Sequence, residues 1–207
     1  MMKILLLINS IFKGLNDMNI NQNVKTSGAY VLYQGLFIFQ VGPTKDADQL
    51  GVVRLGGHKE FGETALEAAS REVYEEASIK ITPINSPITY HMSEWGNKPF
   101  IIRLDEEIAP ILVKGNEQNS LSIMYLSYAE NEPTPSSETN GLLLLTPEDI
   151  HYICNHKITL NDFIRQNGLA ILKGNINRDL FLTPFPQLKF LSTLLKENAD
   201  LLSLMKI

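Results

Sequence analysis

The sequence predicts a layered α/β fold: apolar, β-rich runs lie on both sides of one stretch with helical period, and polar loops separate them. The text Gly28-Ala-Tyr-Val-Leu-Tyr-Gln-Gly-Leu-Phe-Ile-Phe-Gln-Val41 reads as two strands broken by Gln34-Gly35, a hairpin signal. Residues 50–55 give a further short strand that runs into Gly56-Gly57. From 65 to 77 the period changes, with Leu66, Ala69, Val73 and Ala77 on one side of the helical repeat, and that side is expected to face the core. Strands at 88–92, 99–104 and 121–128 follow the helix, and residues 142–145 give one more after a polar loop. Thr146-Pro147-Glu148-Asp149 has the cap, the first-turn proline and the early acids of a helix start. Thr159 to Asp162 opens another capped helix, and residues 186–205 set leucines and Phe190 at helical spacing.

With 207 residues, 44% hydrophobic and 20% charged, the chain is long enough to bury one substantial core. The expected division is an N-terminal extension over 1–25, a main domain over 26–158, and a helical C-terminal extension over 159–207 packed on that domain. A net charge of −5 with no cluster of Lys and Arg excludes a broad nucleic-acid surface, which needs basic groups to displace counterions. A small anionic substrate stays open, because a bound divalent cation supplies positive charge that the side chains lack.

The single cysteine, Cys154, has no partner for an intramolecular disulfide, which suits a reducing cytoplasm and excludes a cysteine-built metal site. Its apolar, helical setting reads as a buried structural thiol rather than a nucleophile. The opening run Met1 to Phe12 imitates a secretory signal, but the first alanine is Ala29, so no small-residue cleavage site stands near it. It is also too short to span a bilayer and is expected to pack on the core as a helix or strand. The C-terminal amphipathic helix carries little positive charge on its polar face, which favours core packing over a membrane surface. No membrane association and a cytoplasmic location are expected.

The chemistry concentrates in the helix and the loop before it. Glu72, Glu75 and Glu76 stand at i, i+3 and i+4, so their carboxylates share one face within about one turn. Like charges at that spacing repel unless a cation offsets them, and hard divalent cations such as Mg²⁺ or Mn²⁺ take carboxylate oxygens. The apolar stripe is rotated away from the acids, so the helix can stay anchored while they line a cleft. Arg71 lies four residues after Glu67 and four before Glu75 and is expected to bridge both, either holding a ligand carboxylate in place or serving structure alone. In the loop Gly56-Gly57-His-Lys-Glu-Phe-Gly62-Glu63, three glycines permit a tight course that exposes carbonyls and amides at the helix N-terminus. The Gly57 carbonyl could complete a metal shell; Glu63 either caps the first turn or ligates a metal.

Glutamates on a helix usually form a solvated face, and a Gly-Gly pair is usually a turn. In combination they resemble the Nudix box, G-x5-E-x7-R-E-U-x-E-E-x-G-U with U aliphatic: Gly57, five residues, Glu63, seven residues, then Arg71-Glu72-Val73-Tyr74-Glu75-Glu76-Ala77-Ser78-Ile79. Six charged or glycine positions agree in register, a coincidence of roughly one in ten million from average residue usage. Two positions depart from the pattern. Ser78 stands where the box has glycine, and Leu55 where many members have proline before Gly-Gly.

The resemblance implies an α/β/α sandwich with a mixed central sheet, and hydrolysis of a diphosphate-containing small molecule, classically a nucleoside diphosphate linked to another group, with Mg²⁺ or Mn²⁺. It implies that Glu75 and Glu76 are the main metal ligands, with the Gly57 carbonyl and Glu63 contributing, and that Glu72 is a ligand or the general base. Arg71 belongs to the same catalytic group, and Glu138, in the loop before residues 142–145, stands where many members supply one more carboxylate, with Glu130 and Glu132 as rivals. His58 in the glycine loop is a candidate for phosphate contact. Tyr90 and Trp95, with Phe100 nearby, are candidates for stacking on a base, against the alternative that they fill a core. A homodimer is left open. A diphosphate-ester isomerase and a ligand-sensing module on the same fold are the rival readings.

Overall fold

The structure, a computed structural model, describes residues 23–116 and 120–197. Residues 1–22 and 198–207 lie outside that range, and with them the reading of the N-terminal run and the last part of the expected C-terminal helix. Twelve strands join one mixed sheet among the described residues. At its centre β1 (Val24–Tyr33) runs parallel to β9 (Leu121–Tyr128) and antiparallel to both β2 (Leu36–Pro43) and β4 (Leu55–His58). β2 carries β3 (Leu50–Val53) and β10 (Gly141–Leu145) along its other side. Beyond β9 come β8 (Leu112–Lys114), β6 (Thr89–Met92) and β7 (Phe100–Ile102), while β5 (Thr82–Ile84) pairs with the end of β9.

Strand alternation divides the apolar residues between two faces. On β1, Ala29 and Val31 enter one core while Tyr30 and Leu32 enter the other, so the sheet is buried on both sides. Helix α1 (Ala65–Ala77) covers the first face with Ala65, Ala69, Val73 and Ala77; three alanines in that stripe let its backbone approach the strands closely. The opposite face is covered by α2 (Pro147–Asn155), α3 (Leu160–Arg165) and α4 (Pro186–Glu197), through Ile150, Ile153, Phe163, Leu188 and Leu191. The result is the expected α/β/α sandwich with a mixed sheet.

The expected hairpin is present: β1 and β2 meet at Tyr33 and Leu36, and Gln34 and Gly35 both take positive φ, 50° and 80°, as the two-residue turns of hairpins do. Three differences from the sequence reading have simple causes. β1 begins at Val24, before the polar Lys25 to Ser27 segment, because β4 and β9 supply partners on both sides that sequence alone does not display. Residues 50–55 divide into β3 and β4, since Arg54 lies between the part that pairs with β2 and the part that pairs with β1. The C-terminal extension, expected to be helical, also supplies two strands to the sheet: β11 (Leu169–Leu172) pairs with β10, and β12 (Leu182–Pro184) runs parallel to β3. Both are too short to show period in the sequence.

Residues 159–197 therefore share a sheet and a core with the rest of the chain, and the Tyr30 hydroxyl, fully buried, donates to the Gln187 carbonyl at 2.8 Å. A chain cut after residue 158 bares Tyr30, Leu50 and Ile150 and is expected to lose its cooperative thermal transition and to bind a hydrophobic dye. A cooperative melt at the full-length midpoint, followed by circular dichroism, would show instead that 159–207 fold as a separate unit.

Candidate active site

α1 starts in a complete capping box: Thr64 Oγ1 accepts from the Glu67 amide at 3.2 Å, and the Glu67 carboxylate accepts from the Thr64 amide at 2.7 Å. It ends at Ser78, which takes φ 56° and donates its amide to the Tyr74 carbonyl. The exit that a box glycine would make is thus made by serine, at a backbone cost of about 1–2 kcal/mol. The last two carbonyls of the helix are met from outside: the Thr134 amide donates to Ala77 O at 2.8 Å and the Ser136 amide to Glu76 O at 3.2 Å. These bonds dock the loop between β9 and β10 on the end of α1 that bears Glu75 and Glu76.

The helix face meets the sheet at Gly56 and Gly57 of β4, which pair with Gly28 and Ser27 of β1. The Gly56 amide donates to Glu76 Oε2 at 2.7 Å, and Glu72 closes on the next residue so tightly that a Cβ at Gly57 would collide with its carboxylate. Gly56 has φ 137°, and a side chain there would strike Arg54 and the β1 backbone. Glu76 and Glu72 thus clasp two successive residues of β4, Gly56 and Gly57.

Arg71 gathers the remaining acids. Its guanidinium donates to Glu63 through two nitrogens at 2.7 and 3.1 Å, to Glu72 at 2.9 Å, to Glu75 at 2.8 Å, and to the His58 carbonyl at 2.8 Å. These bonds hold the Arg71 guanidinium charged and, through the Arg71 hydrogen bond first, draw the Glu63 carboxyl below its ordinary range. The expected bridge to Glu67 does not form, because the cap at Thr64 claims that carboxylate. Glu63 is not a cap either: it accepts from the Glu60 amide and from Arg71.

Sequence reasoning passed over Arg54 and Gln40. Arg54 is only 6% exposed and faces the charges of Glu76 and Glu72, while the Gln40 side chain hydrogen-bonds Glu76. A signal for Arg54 was present: a cation inside an otherwise apolar strand run must find anionic company when buried. Burial pushes the Glu76 carboxyl up to about 7, reinforced by the Glu72 charge and opposed by the Gly56 amide, Gln40 and Arg54.

The donors suit a hard divalent cation in kind, since all are carboxylate or backbone oxygens. Four carboxylates, of Glu63, Glu72, Glu75 and Glu76, meet two guanidiniums, which leaves two negative charges to be balanced. Among the described residues no three acidic, imidazole or thiol groups converge on a ready-made cage, and Arg71 bridges three of the acids. A cation drawing on all of them requires Arg71 to release at least one.

The other expected site residues lie further out. Glu138 is exposed, its amide donating to Ser136 Oγ at 3.2 Å, in the loop docked on the end of α1; Glu130 and Glu132 are exposed too. His58 is exposed at the end of β4 and meets Arg71 through its carbonyl. Tyr90 and Trp95 pack instead on the face of the sheet opposite α1, where they line a cavity of about 480 Å³ with Met92, Pro99, Phe190 and Leu194. Tyr90 meets Phe190 of α4 edge-on at 6.0 Å. Cys154, expected to be buried, is half-buried on α2.

Among the described residues no helix is long and apolar enough to cross a membrane. No protein-family profile matches the chain, and no curated protein does. Solved structures similar to it include a Nudix-family hydrolase from Clostridium perfringens, at 20% identity over 70% of this chain and 94% of that one, with a TM-score of 0.47. An Ap4A hydrolase from C. elegans is 21% identical over 61% and 82% of the two chains, with a TM-score of 0.40. An ADP-ribose pyrophosphatase from Streptococcus suis is 14% identical over 60% and 74%, with a TM-score of 0.38.

A carboxyl whose folded value is raised binds its proton more tightly in the folded chain than in the unfolded one. Its contribution to stability is complete below the ordinary value of 4.5 and is lost as pH rises to about 7. In the presence of chelator the chain is therefore expected to melt several degrees lower at about pH 8 than at about pH 5 on this account, and Glu76→Gln is expected to flatten that fall. An unchanged pH profile in Glu76→Gln, followed by calorimetry, would remove Glu76 as its source. In its box, the chain resembles the Nudix hydrolases.

Proposed function

We propose that this chain hydrolyses a diphosphate linkage in a nucleoside diphosphate derivative or a similar small molecule, with Mg²⁺ or Mn²⁺ as cofactor. The observation that carries the reading is the clasp of Gly56-Gly57 by Glu72 and Glu76, which brings two carboxylates onto a half-buried glycine backbone. Glu72, Glu75 and Glu76 would hold the cation, with the Gly57 carbonyl and Glu63 as further donors. Bound there, a divalent cation neutralises phosphate charge and lowers the pKa of a water molecule.

The chain's own groups do the rest. The oxygen of a water molecule attacks one phosphorus, the bond from that phosphorus to the bridging oxygen breaks, and the leaving phosphate keeps the bridging oxygen. Glu72 or Glu138 takes the proton of the attacking water, Glu72 from within the clasp and Glu138 from the loop docked at the end of α1. Arg71 fixes the directions of Glu72 and Glu75 and offers a cation to the substrate phosphates when it lets one of them go. His58, exposed at the end of β4, is the candidate for a phosphate contact. Tyr90 and Trp95 lie across the sheet from the acids, which speaks against their stacking on the base of a molecule whose phosphates sit at Glu72 and Glu76. A lone half-buried cysteine accords with a reducing cytoplasm.

Purified protein is expected to release a nucleoside monophosphate, or a phosphorylated partner group, from at least one member of a diphosphate panel when Mg²⁺ or Mn²⁺ is supplied. Chelator should abolish the release, and Glu76→Gln should remove most of it while leaving the fold intact. Turnover that persists without metal sinks the proposal. Metal binding with no phosphate release across the panel would favour the isomerase or ligand-sensing reading.

A further inference from the structure

Arg54 stands behind the clasp, in the one-residue gap between β3 and β4. Its guanidinium is buried, yet it makes no ion pair within 4.0 Å among the described residues: Nη1 donates to the Ser27 carbonyl at 3.2 Å, and Nε has no hydrogen-bond partner. A buried cation with an unmet donor is expensive, and an apolar side chain of the same length would fill the space at lower cost. The neighbours show what the guanidinium occupies. A Cβ at Gly28 on β1 would collide with it from one side, and a Cβ at Gly56 from the other, so both glycines make room for it. Of the acids that act on it, Glu76 acts most strongly and Glu72 less so. Gln40 ties the same group together, donating to the Arg54 carbonyl at 3.4 Å while contacting Glu76.

We propose that Arg54 is a positioning residue for the divalent-cation site: seated between Gly28 and Gly56, it fixes Gly56 and Gly57 of β4 against β1 and sets a positive charge behind Glu76. The inference rests on the cation reading above and concerns affinity rather than turnover. Arg54, only 6% exposed, is too deep to touch substrate. What it sets is the position of two donors, the Gly57 carbonyl and the Glu76 carboxylate, before the cation arrives. Groups that hold metal ligands from behind are typically worth about 10- to 100-fold in metal affinity.

The test is Mn²⁺ titration of the full-length chain, with free Mn²⁺ read by electron paramagnetic resonance and the fold checked by circular dichroism. Arg54→Met keeps the length and apolar stem but removes the guanidinium, and is expected to weaken Mn²⁺ binding by about 10- to 100-fold with secondary structure retained. Arg54→Lys, which keeps the charge and a donor for Ser27, is expected to recover part of the loss. If Arg54→Met fails to fold, Arg54→Gln, which keeps a donor for the Ser27 carbonyl but no charge, carries the decision. A folded Arg54→Met or Arg54→Gln that binds Mn²⁺ as tightly as the wild type, or more tightly, overturns the assignment of Arg54. A wild-type chain that binds no Mn²⁺ overturns the cation reading itself, and the Arg54 assignment with it.

Discussion

The hydrogen bond from the Gly56 amide to the Glu76 carboxylate joins the two halves of this molecule that matter for chemistry. It ties β4 to a helix that begins several residues later, and so fixes where the helix face stands over the sheet. The bond needs glycine at both positions, because Arg54 and the β1 backbone crowd Gly56 and the Glu72 carboxylate crowds Gly57. It also needs α1 to lie close to the strands, which its alanine stripe permits. Small residues on the buried side of α1 and large anionic ones on its other side are thus two parts of one requirement.

The same packing produces an electrostatic imbalance. Glu72 and Glu76 are held against backbone while Arg71 draws Glu63, Glu72 and Glu75 together from the solvent side. Four acids and two guanidiniums do not cancel, and the most buried acid is left with a proton affinity near neutrality. Such a group is a cost to the metal-free fold and a store of affinity for a divalent cation, since binding relieves the repulsion that folding has imposed. Arg71 makes the arrangement reversible: it can stay bonded to some acids while others turn to a cation, without leaving any carboxylate bare.

Much of this was legible in the sequence because it is carried by local spacing. The helix over 65–77, its glutamate face and the glycine pair are all set within two dozen residues, and the hairpin at Gln34-Gly35 is a two-residue signal. What the sequence hid depends on contacts distant along the chain. Arg54 looked like an ordinary charge in a strand until Gly28, twenty-six residues earlier, and Glu76, twenty-two later, were brought to it. Arg71 was expected to bridge Glu67, but the Thr64 cap outcompetes it, a contest between neighbours that spacing alone does not decide. For Tyr90 and Trp95 the sequence left base stacking and core filling as alternatives, and both pack on the face of the sheet opposite α1, beside α4. The strands β11 and β12 were missed because their partners, not their composition, make them strands.

The most direct test of the central claim is calorimetric unfolding of the wild-type chain at about pH 8 over a range of Mn²⁺ concentrations. If Glu72 and Glu76 hold a divalent cation against Gly56 and Gly57 of β4, stability rises with the logarithm of Mn²⁺ once the site fills. The gain is about 2.7 kcal/mol at a hundred times the dissociation constant, and it disappears in the Glu72→Gln/Glu76→Gln double variant. A melting temperature indifferent to Mn²⁺, or one that rises equally in that double variant, contradicts the account.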